Sequence, residues 1–369
     1  KSLEKKALIK TVIEDTNGEA PAKPKKKRGF WKVIQIPALA ILTGLILGAI
    51  LIAATSFTVY DAFKVGFLNG IGTAFAEVGK AYLGLLTGSL GNPVEIVSAL
   101  IYGDAQDVRN AVNPILESLV QATPYIFAGL ACALAFRAGL FNIGVEGQLF
   151  MGAAAATFVG YSLTGLPAII HMPLAFLAGA LGGALWGMVP GLLKATTGGN
   201  EVINCIMMNY IAYRVTTWLL TGPMTRPGTG GMPISPIIEK SAQIPQFFRT
   251  PIRFHLGFFV AILMAVLVYI LLFKTTWGLE LRMVGSNPDA AKYAGIKITV
   301  ATVVAMSLSG ALAGMAGANE ILGINHRLIP AFSSGYGFDS IALALLGKSH
   351  PFGVILSSLL FGFLRNGAR

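Results

Sequence analysis

From Val33 to Tyr60 the chain carries no charged residue. About 20 apolar residues in a helix span the hydrocarbon core of a bilayer, so this run can cross one. Further uncharged runs follow at 118–136, 147–170, 172–193, 202–213, 256–273, 298–319 and 351–364. Charged residues make up 12% of the chain, against about 25% in soluble domains. Too few charges remain to clothe the apolar surface in water, so lipid is the expected solvent. The spacing predicts an all-α, polytopic membrane helix bundle of about 8–9 transmembrane or re-entrant segments. The chain opens on Lys1 and stops after an apolar run at Arg369, so a trimmed start and missing C-terminal helices are expected.

The formal net charge of +11 is concentrated: ten basic residues precede Val33. Residues 1–32 read as a disordered basic tail, and residues 33–369 as a transmembrane domain. Lys and Arg beside a first span place it on the cytoplasmic side, which removes the need for a nucleic-acid partner. Residues 61–117 carry an acidic excess and read as an external segment with short interfacial helices, one of them around Glu77. Counting crossings puts Arg137, Lys194 and the loop 274–298 inside, in agreement with the charge bias. Loop 222–255 falls outside despite Arg226, Lys240, Arg249 and Arg253, which counts against the scheme. Arg214 falls near the outer end of the fifth span, where it either snorkels to headgroups or serves the pathway.

Glycines recur every fourth residue at 44 and 48, at 179, 183 and 187, and at 310 and 314. Each set shares a helix face that permits close helix packing. Asp339 and Lys348 enclose too few uncharged residues for a crossing, so 323–353 reads as a broken or re-entrant segment.

Enzyme signatures fail. Gly347-Lys348-Ser349 lacks the earlier glycine of a phosphate-binding loop, because position 342 is Ala. His171, His255, His326 and His350 are scattered at segment edges without metal-ligand spacing. Cys132 and Cys205 sit in apolar runs and imply neither disulfide nor metal.

The loop 278–298 is more informative. Asn287 is a favourable N-cap, Pro288 suits the first helical position, and Asp289 complements the positive helix terminus. Ala290 and Ala291 continue the helix and Gly295 can take a left-handed stop. So short a helix is unstable alone and needs a surface to dock on.

"GSNPDAAKYAGI", beginning at Gly285, resembles the coupling helix of ABC importer permeases. "AFRAGLFNIGVEGQLFMGA", "GGNEVINCIMMNYIA" and "GYGFDSIALALLGKSHPFG" resemble the other signatures of the nucleoside and simple-sugar uptake branch of these permeases. The resemblance runs from about Val33 to Arg369; Gly199 and the long 61–117 segment depart from it. It implies a bacterial cytoplasmic-membrane permease that imports nucleosides or simple sugars by alternating access. It also implies three partners: an ABC ATPase subunit that uses the ATP, a second homologous permease, and an extracytoplasmic substrate-binding lipoprotein. No cofactor is expected on this chain, nor any enzymatic activity.

Gly285, Asn287, Pro288, Asp289, Ala290, Ala291 and Gly295 are then the coupling residues. The candidates for pathway or gate are Arg137, Asn142, Glu146, Gln148, Asn200, Glu201, Asn204 and Asn209. An Arg137–Glu146 pair would cancel two charges at the membrane boundary, with Asn142 capping a freed helix end. Asn200 and Asn204 share a helix face and can either meet polar substrate groups or bond neighbouring helices. Two rivals are an ion-gradient-driven secondary transporter and a membrane-embedded enzyme. The first needs an intramembrane carboxylate, for which only Glu201 and Glu320 are placed; the second lacks a catalytic constellation.

Overall fold

The computed structural model describes residues 30–228, 230–248 and 251–368. The basic tail up to residue 29 and Arg249 lie outside the described residues. Among those described, the only strand-like pairing is an isolated bridge between Gln246 and His255. The expected all-α class is what the chain forms.

Two units divide the chain, one up to Ala81 and one from Tyr82 onward. The first contains α1 (Phe30–Thr55), α2 (Phe57–Val65) and most of α3 (Phe67–Leu90). α1 turns Leu39, Leu42, Leu47 and Leu51 outward, as a helix solvated by lipid does. The Tyr60 hydroxyl donates to the Ala54 carbonyl at 2.8 Å and ties α2 back to the end of α1. α3 is longer than the short helix expected around Glu77. Its two charges, Glu77 and Lys80, pair at 2.9 Å on one face, so they interrupt the apolar surface only once.

The second unit contains α4 (Pro93–Tyr102), α5 (Ala105–Arg137), α6 (Val145–Ser162), α7 (Ala168–Thr197), α8 (Glu201–Thr221) and α9 (Gly257–Lys274). α10 (Thr276–Ser286), α11 (Pro288–Tyr293), α12 (Ile298–Glu320), α13 (Tyr336–Leu346) and α14 (Pro351–Gly367) follow. α5 starts at a reciprocal cap: the Asp104 carboxylate accepts from the Gln106 and Asp107 amides, and Asp107 accepts from the Asp104 amide.

Among the described residues, six stretches are long and apolar enough to cross a membrane: Ala38–Thr55, Phe67–Tyr102, Ala105–Arg137, Ala168–Thr197, Gly257–Lys274 and Ile298–Asn325. α6 and α8 also match apolar runs, but Glu146 and Gln148 in one and Asn204, Asn209 and Arg214 in the other dilute them.

α12 packs against α7, α6 and α5 at the centre of this unit. The glycine rows make that contact. A methyl group at Gly183 would stand 2.6 Å from the Gly314 Cα, and one at Gly314 would stand 3.0 Å from the Gly183 Cα. Only glycine lets the two backbones meet so closely. Gly44, by contrast, has nothing within 4 Å of its missing Cβ among the described residues.

The division expected at His171 falls earlier, at 163–167. His171 is a buried member of α7 whose Nε2 donates to the Val159 carbonyl at 3.1 Å. That bond makes its Nδ1 the acceptor for the Ser241 hydroxyl at 2.7 Å. An imidazole with both nitrogens satisfied can sit inside the bundle, so no interfacial position is needed.

The broken segment is present as expected. α12 runs into a π-helical turn, Ile321–Asn325, and the chain loops to 335 before α13 begins. His326, Ala331 and Ser334 take φ of 52°, 54° and 49°, a left-handed conformation costly for residues with a Cβ. Ser235 holds the loop: its amide donates to the Leu328 carbonyl, and its hydroxyl accepts from the Leu328 amide at 2.8 Å.

Candidate functional site

The reversal between α5 and α6 gathers most of the predicted polar residues. Arg137 ends α5, and its guanidinium donates to the Ser349 carbonyl at 2.8 Å and the Lys348 carbonyl at 3.1 Å. These carbonyls belong to the turn between α13 and α14, where both residues have positive φ. The expected Arg137–Glu146 pair does not form. Glu146 is only 2% exposed and accepts from the Gly337 amide at 2.7 Å, while the Ser333 and Tyr213 hydroxyls flank it. The reason is that residues 138–145 turn back into the bundle instead of running along its edge. Asn142 at the turn meets Ser309, which stands about 16 Å along α12 from Ile298 at 1.5 Å per residue.

Two helix starts therefore converge on one carboxylate. Glu146 lies in the first turn of α6, and Gly337 in the first turn of α13, so the positive ends of both helices face it. A methyl at Gly337 would meet the Glu146 backbone at 2.5 Å, so this approach also requires glycine.

Asn142 is the hub behind Glu146. Its Oδ1 accepts at 2.9 Å from the amide of Gly144, the residue before α6, and α6 itself has no side-chain cap, so the capping role expected of Asn142 is not what the bond provides. Its Nδ2 donates to Gln148 Oε1 at 2.9 Å and to the Ser309 hydroxyl at 2.8 Å. The Ser309 hydroxyl in turn donates to the Ala131 carbonyl at 2.7 Å. Asn142 and Gln148 are buried and bonded to each other. In this conformation they join α5, α6 and α12.

The α8 candidates separate. Asn200 is exposed and caps α8, accepting from the Val202 amide at 2.9 Å. Glu201 pairs with Lys194 at 2.9 Å, joining the end of α7 to the start of α8. Asn209 is buried and clasps the reversal: its Oδ1 accepts from the Gly147 amide at 2.8 Å and its Nδ2 donates to the Ile143 carbonyl at 3.0 Å. Asn204 is half-buried beside Gly199. Asn200 and Asn204 thus do not act as a matched pair of amides, because the cap occupies Asn200.

A cleft of about 470 Å³ opens beside Glu146, lined also by Phe150, Tyr213, Thr217, Ser334 and Phe338. Phe150 meets Tyr213 edge to face at 4.9 Å between ring centres and Phe332 at 4.7 Å. Of the predicted residues only Glu146 reaches this cleft. Tyr213 and Phe338 look like ordinary apolar helix positions in the sequence, and the strained loop bearing Ser334 has no sequence signature.

Arg365 was also not singled out by the sequence. It lies over the Tyr336 ring at 4.4 Å, bonds the Tyr125 hydroxyl at 2.5 Å and approaches Asp339 at 3.5 Å. It also donates to the Ser334 carbonyl at 3.3 Å, so the end of α14 braces the cleft loop.

The loop 274–298 folds as its residues predict. The Asn287 side chain accepts from the Ala290 amide at 3.0 Å, Pro288 opens α11, and Gly295 takes φ of 83°. Ala291 is fully buried, while Asp289, Ala290 and Lys292 are exposed and Tyr293 is 96% exposed. Ala291 therefore anchors the helix from within, and the free face belongs to its neighbours. A recess of about 410 Å³ between Trp277, Gly295 and Val300 lies alongside. Gly285, just before the helix, presses on the reversal: a methyl there would stand 2.7 Å from the Gly139 amide nitrogen.

Comparison with known proteins agrees with this architecture. Residues 114–369 match the family model for the branched-chain amino acid transport system permease component. The guanosine ABC transporter permease protein NupP of Bacillus subtilis is 39% identical over 340 residues, 90% of this chain and 85% of that protein. The glucose ABC transporter permease protein TsgB13 of Haloferax volcanii is 32% identical, covering 94% of this chain and 83% of its own length. The nucleoside ABC transporter permease protein NupB of Lactococcus lactis is 29% identical, covering 91% of this chain and 84% of its own. No solved structure matches the chain. A central glycine-packed α12, a broken segment after it and a capped helix between α10 and α12 thus belong to a member of the branched-chain amino acid transport system permease family, a membrane-spanning ABC transporter permease.

Proposed function

We propose that this chain imports nucleosides or related sugars across a bacterial cytoplasmic membrane, with its N-terminus in the cytoplasm. A separate ATPase subunit docks on α11, a second homologous permease completes the pathway, and a lipoprotein delivers substrate from outside. The observation that carries this reading is α11 itself: six residues, capped at both ends, anchored by buried Ala291 and presenting Tyr293 to the surroundings. An aromatic ring exposed to 96% on so short a helix is an anchor without a pocket among the described residues.

The path of force follows the backbone contacts. Movement of α11 is passed by Asn287 to the end of α10, and Gly285 bears directly on the Arg137–Gly139 reversal. That reversal leads into Asn142, which joins α5, α6 and α12, and then into Glu146. A shift of α11 thus acts on the residue that meets the cleft. Ion-gradient coupling gains no support from Glu201, whose carboxylate is paired with Lys194.

The test is Tyr293→Ala in the reconstituted transporter. The exposed ring makes no contribution to the core, so the variant should fold and insert normally. Uptake should fall about tenfold or more, in line with the loss of a central aromatic anchor. Wild-type uptake together with wild-type ATPase affinity would rule out docking at this helix.

A further inference from the structure

We propose that the recess beside α11 binds one phospholipid with a primary-amine headgroup, its phosphate at Lys297, its ammonium at Glu280 and an acyl chain along α12. This goes beyond the importer reading and does not depend on the substrate carried.

The recess of about 410 Å³ is lined from α9, α10 and the first turns of α12. Its apolar part runs into the membrane. Val300, Val304 and Leu308 recur every fourth residue and share one face of α12, and Leu271 of α9 joins them. Leu308 stands about 15 Å along α12 from Ile298 at 1.5 Å per residue, roughly half of a hydrocarbon core of about 30 Å. Both helices are among the stretches able to cross a bilayer. A partner protein from the aqueous phase would have to carry unsatisfied peptide groups into hydrocarbon to follow such a groove. An amphiphile with an apolar tail follows it without that cost.

The polar end lies where α9 ends and α12 begins, and it carries both signs. Lys297 and Glu280 line it, both exposed, and among the described residues neither side chain has an ion-pair partner. Lys297 is the residue before α12, and no side chain caps that helix. A phosphate there meets an ammonium together with the positive end of a helix. Glu280 offers its carboxylate to an N–H donor. A primary ammonium presents three N–H groups, whereas the quaternary ammonium of a choline head presents none, and a glycerol head brings no positive charge. Trp277, 63% exposed and also lining the recess, has the amphipathic ring that favours the headgroup layer. Ala294 and Gly295, where α11 stops, complete the lining, so a lipid seated there touches the end of that helix.

The test is native mass spectrometry of the purified transporter complex, taken from vesicles of equal parts phosphatidylethanolamine, phosphatidylcholine and phosphatidylglycerol. After the surrounding lipid is stripped, wild type should retain one phosphatidylethanolamine per permease copy, at least fivefold over either competitor. Glu280→Gln should bring the ethanolamine-to-choline ratio toward one, and Lys297→Gln should lower retention of both. Val304→Trp, which fills the groove, should abolish retention. Glu280 and Lys297 are exposed, so their variants decide should Val304→Trp fail to fold. Equal retention of the three lipids by wild type, a preference for phosphatidylglycerol, or an unchanged preference in Glu280→Gln would each overturn the site. A photoreactive benzoylphenylalanine in place of Val300 separates lipid from protein. An adduct with phospholipid is expected, and an adduct with the ATPase subunit would overturn the proposal.

Discussion

His255 sits at the end of the 222–256 loop, with its ring buried against Gly257 and Gly323. Burial, reinforced by the nearby His326 and Arg253 charges, pushes its imidazole down to about 4. The folded state therefore holds this ring neutral, while the unfolded chain takes up a proton near pH 6.5. Its stabilising contribution is complete above that pH and is lost as pH falls toward 4. The loss is on the order of 3 kcal/mol by linkage. Thermal unfolding of the purified protein between pH 7.5 and pH 4 should show this slope, and His255→Asn should flatten it. The Gly257 amide, which donates to Nδ1 at 3.1 Å, can then donate to the asparagine carbonyl. An equal slope in the variant would assign the acid sensitivity elsewhere.

Elements in this bundle are held less by side-chain bulk than by its absence. α7 and α12 meet through Gly183 and Gly314, where a single methyl group would stand 2.2 Å from a facing backbone carbonyl oxygen. Neither helix can retreat without losing its contacts to α6, which packs on both. Gly314→Ala should cost about 1–3 kcal/mol, the usual penalty of overpacking. Gly44→Ala, on the same spacing rule but with open space around it, should be neutral or stabilise by up to about 1 kcal/mol through helix propensity. Comparing the two melting temperatures in one detergent checks both statements. Equal effects would mean that glycine spacing, and not contact, governs these helices. α11 makes the complementary case. The buried Ala291 and exposed Tyr293 divide anchoring from docking within six residues, so bulk added at Ala291 would unseat the helix itself.

Orientation belongs to the whole molecule, because every segment must agree with every other. The two cysteines, Cys132 and Cys205, are both buried, so a single introduced cysteine reports its own side of the membrane. Tyr293→Cys should react with a membrane-impermeant maleimide only from the cytoplasmic side, and Lys240→Cys only from outside. Both residues are exposed. Labelling of Tyr293→Cys from outside intact cells would end the proposed role of α11 as an ATPase contact. The same experiment tests the loop 222–255, whose basic residues ran against the charge bias.

The helical class, the capped α11 and the interruption after α12 could be read directly from residues 33–60, 287–295 and 323–353. Each depends on local physics: an uncharged run, an Asn-Pro start with a glycine stop, and too few residues to cross. Family signatures likewise pointed to the permease role before any contact was known. The partners of Arg137 and Glu146 were beyond that reach. Arg137 caps a turn more than two hundred residues away, and Glu146 receives an amide from α13. Residue spacing along a chain cannot reveal that 138–145 fold back into the bundle, because the residues that hold them there, Asn209, Gly285 and Ser309, lie far along the chain. The cleft was hidden for the same reason. Its walls come from α6, α8, α13 and a strained loop, and only tertiary packing brings an acid, a tyrosine and two phenylalanines to one opening.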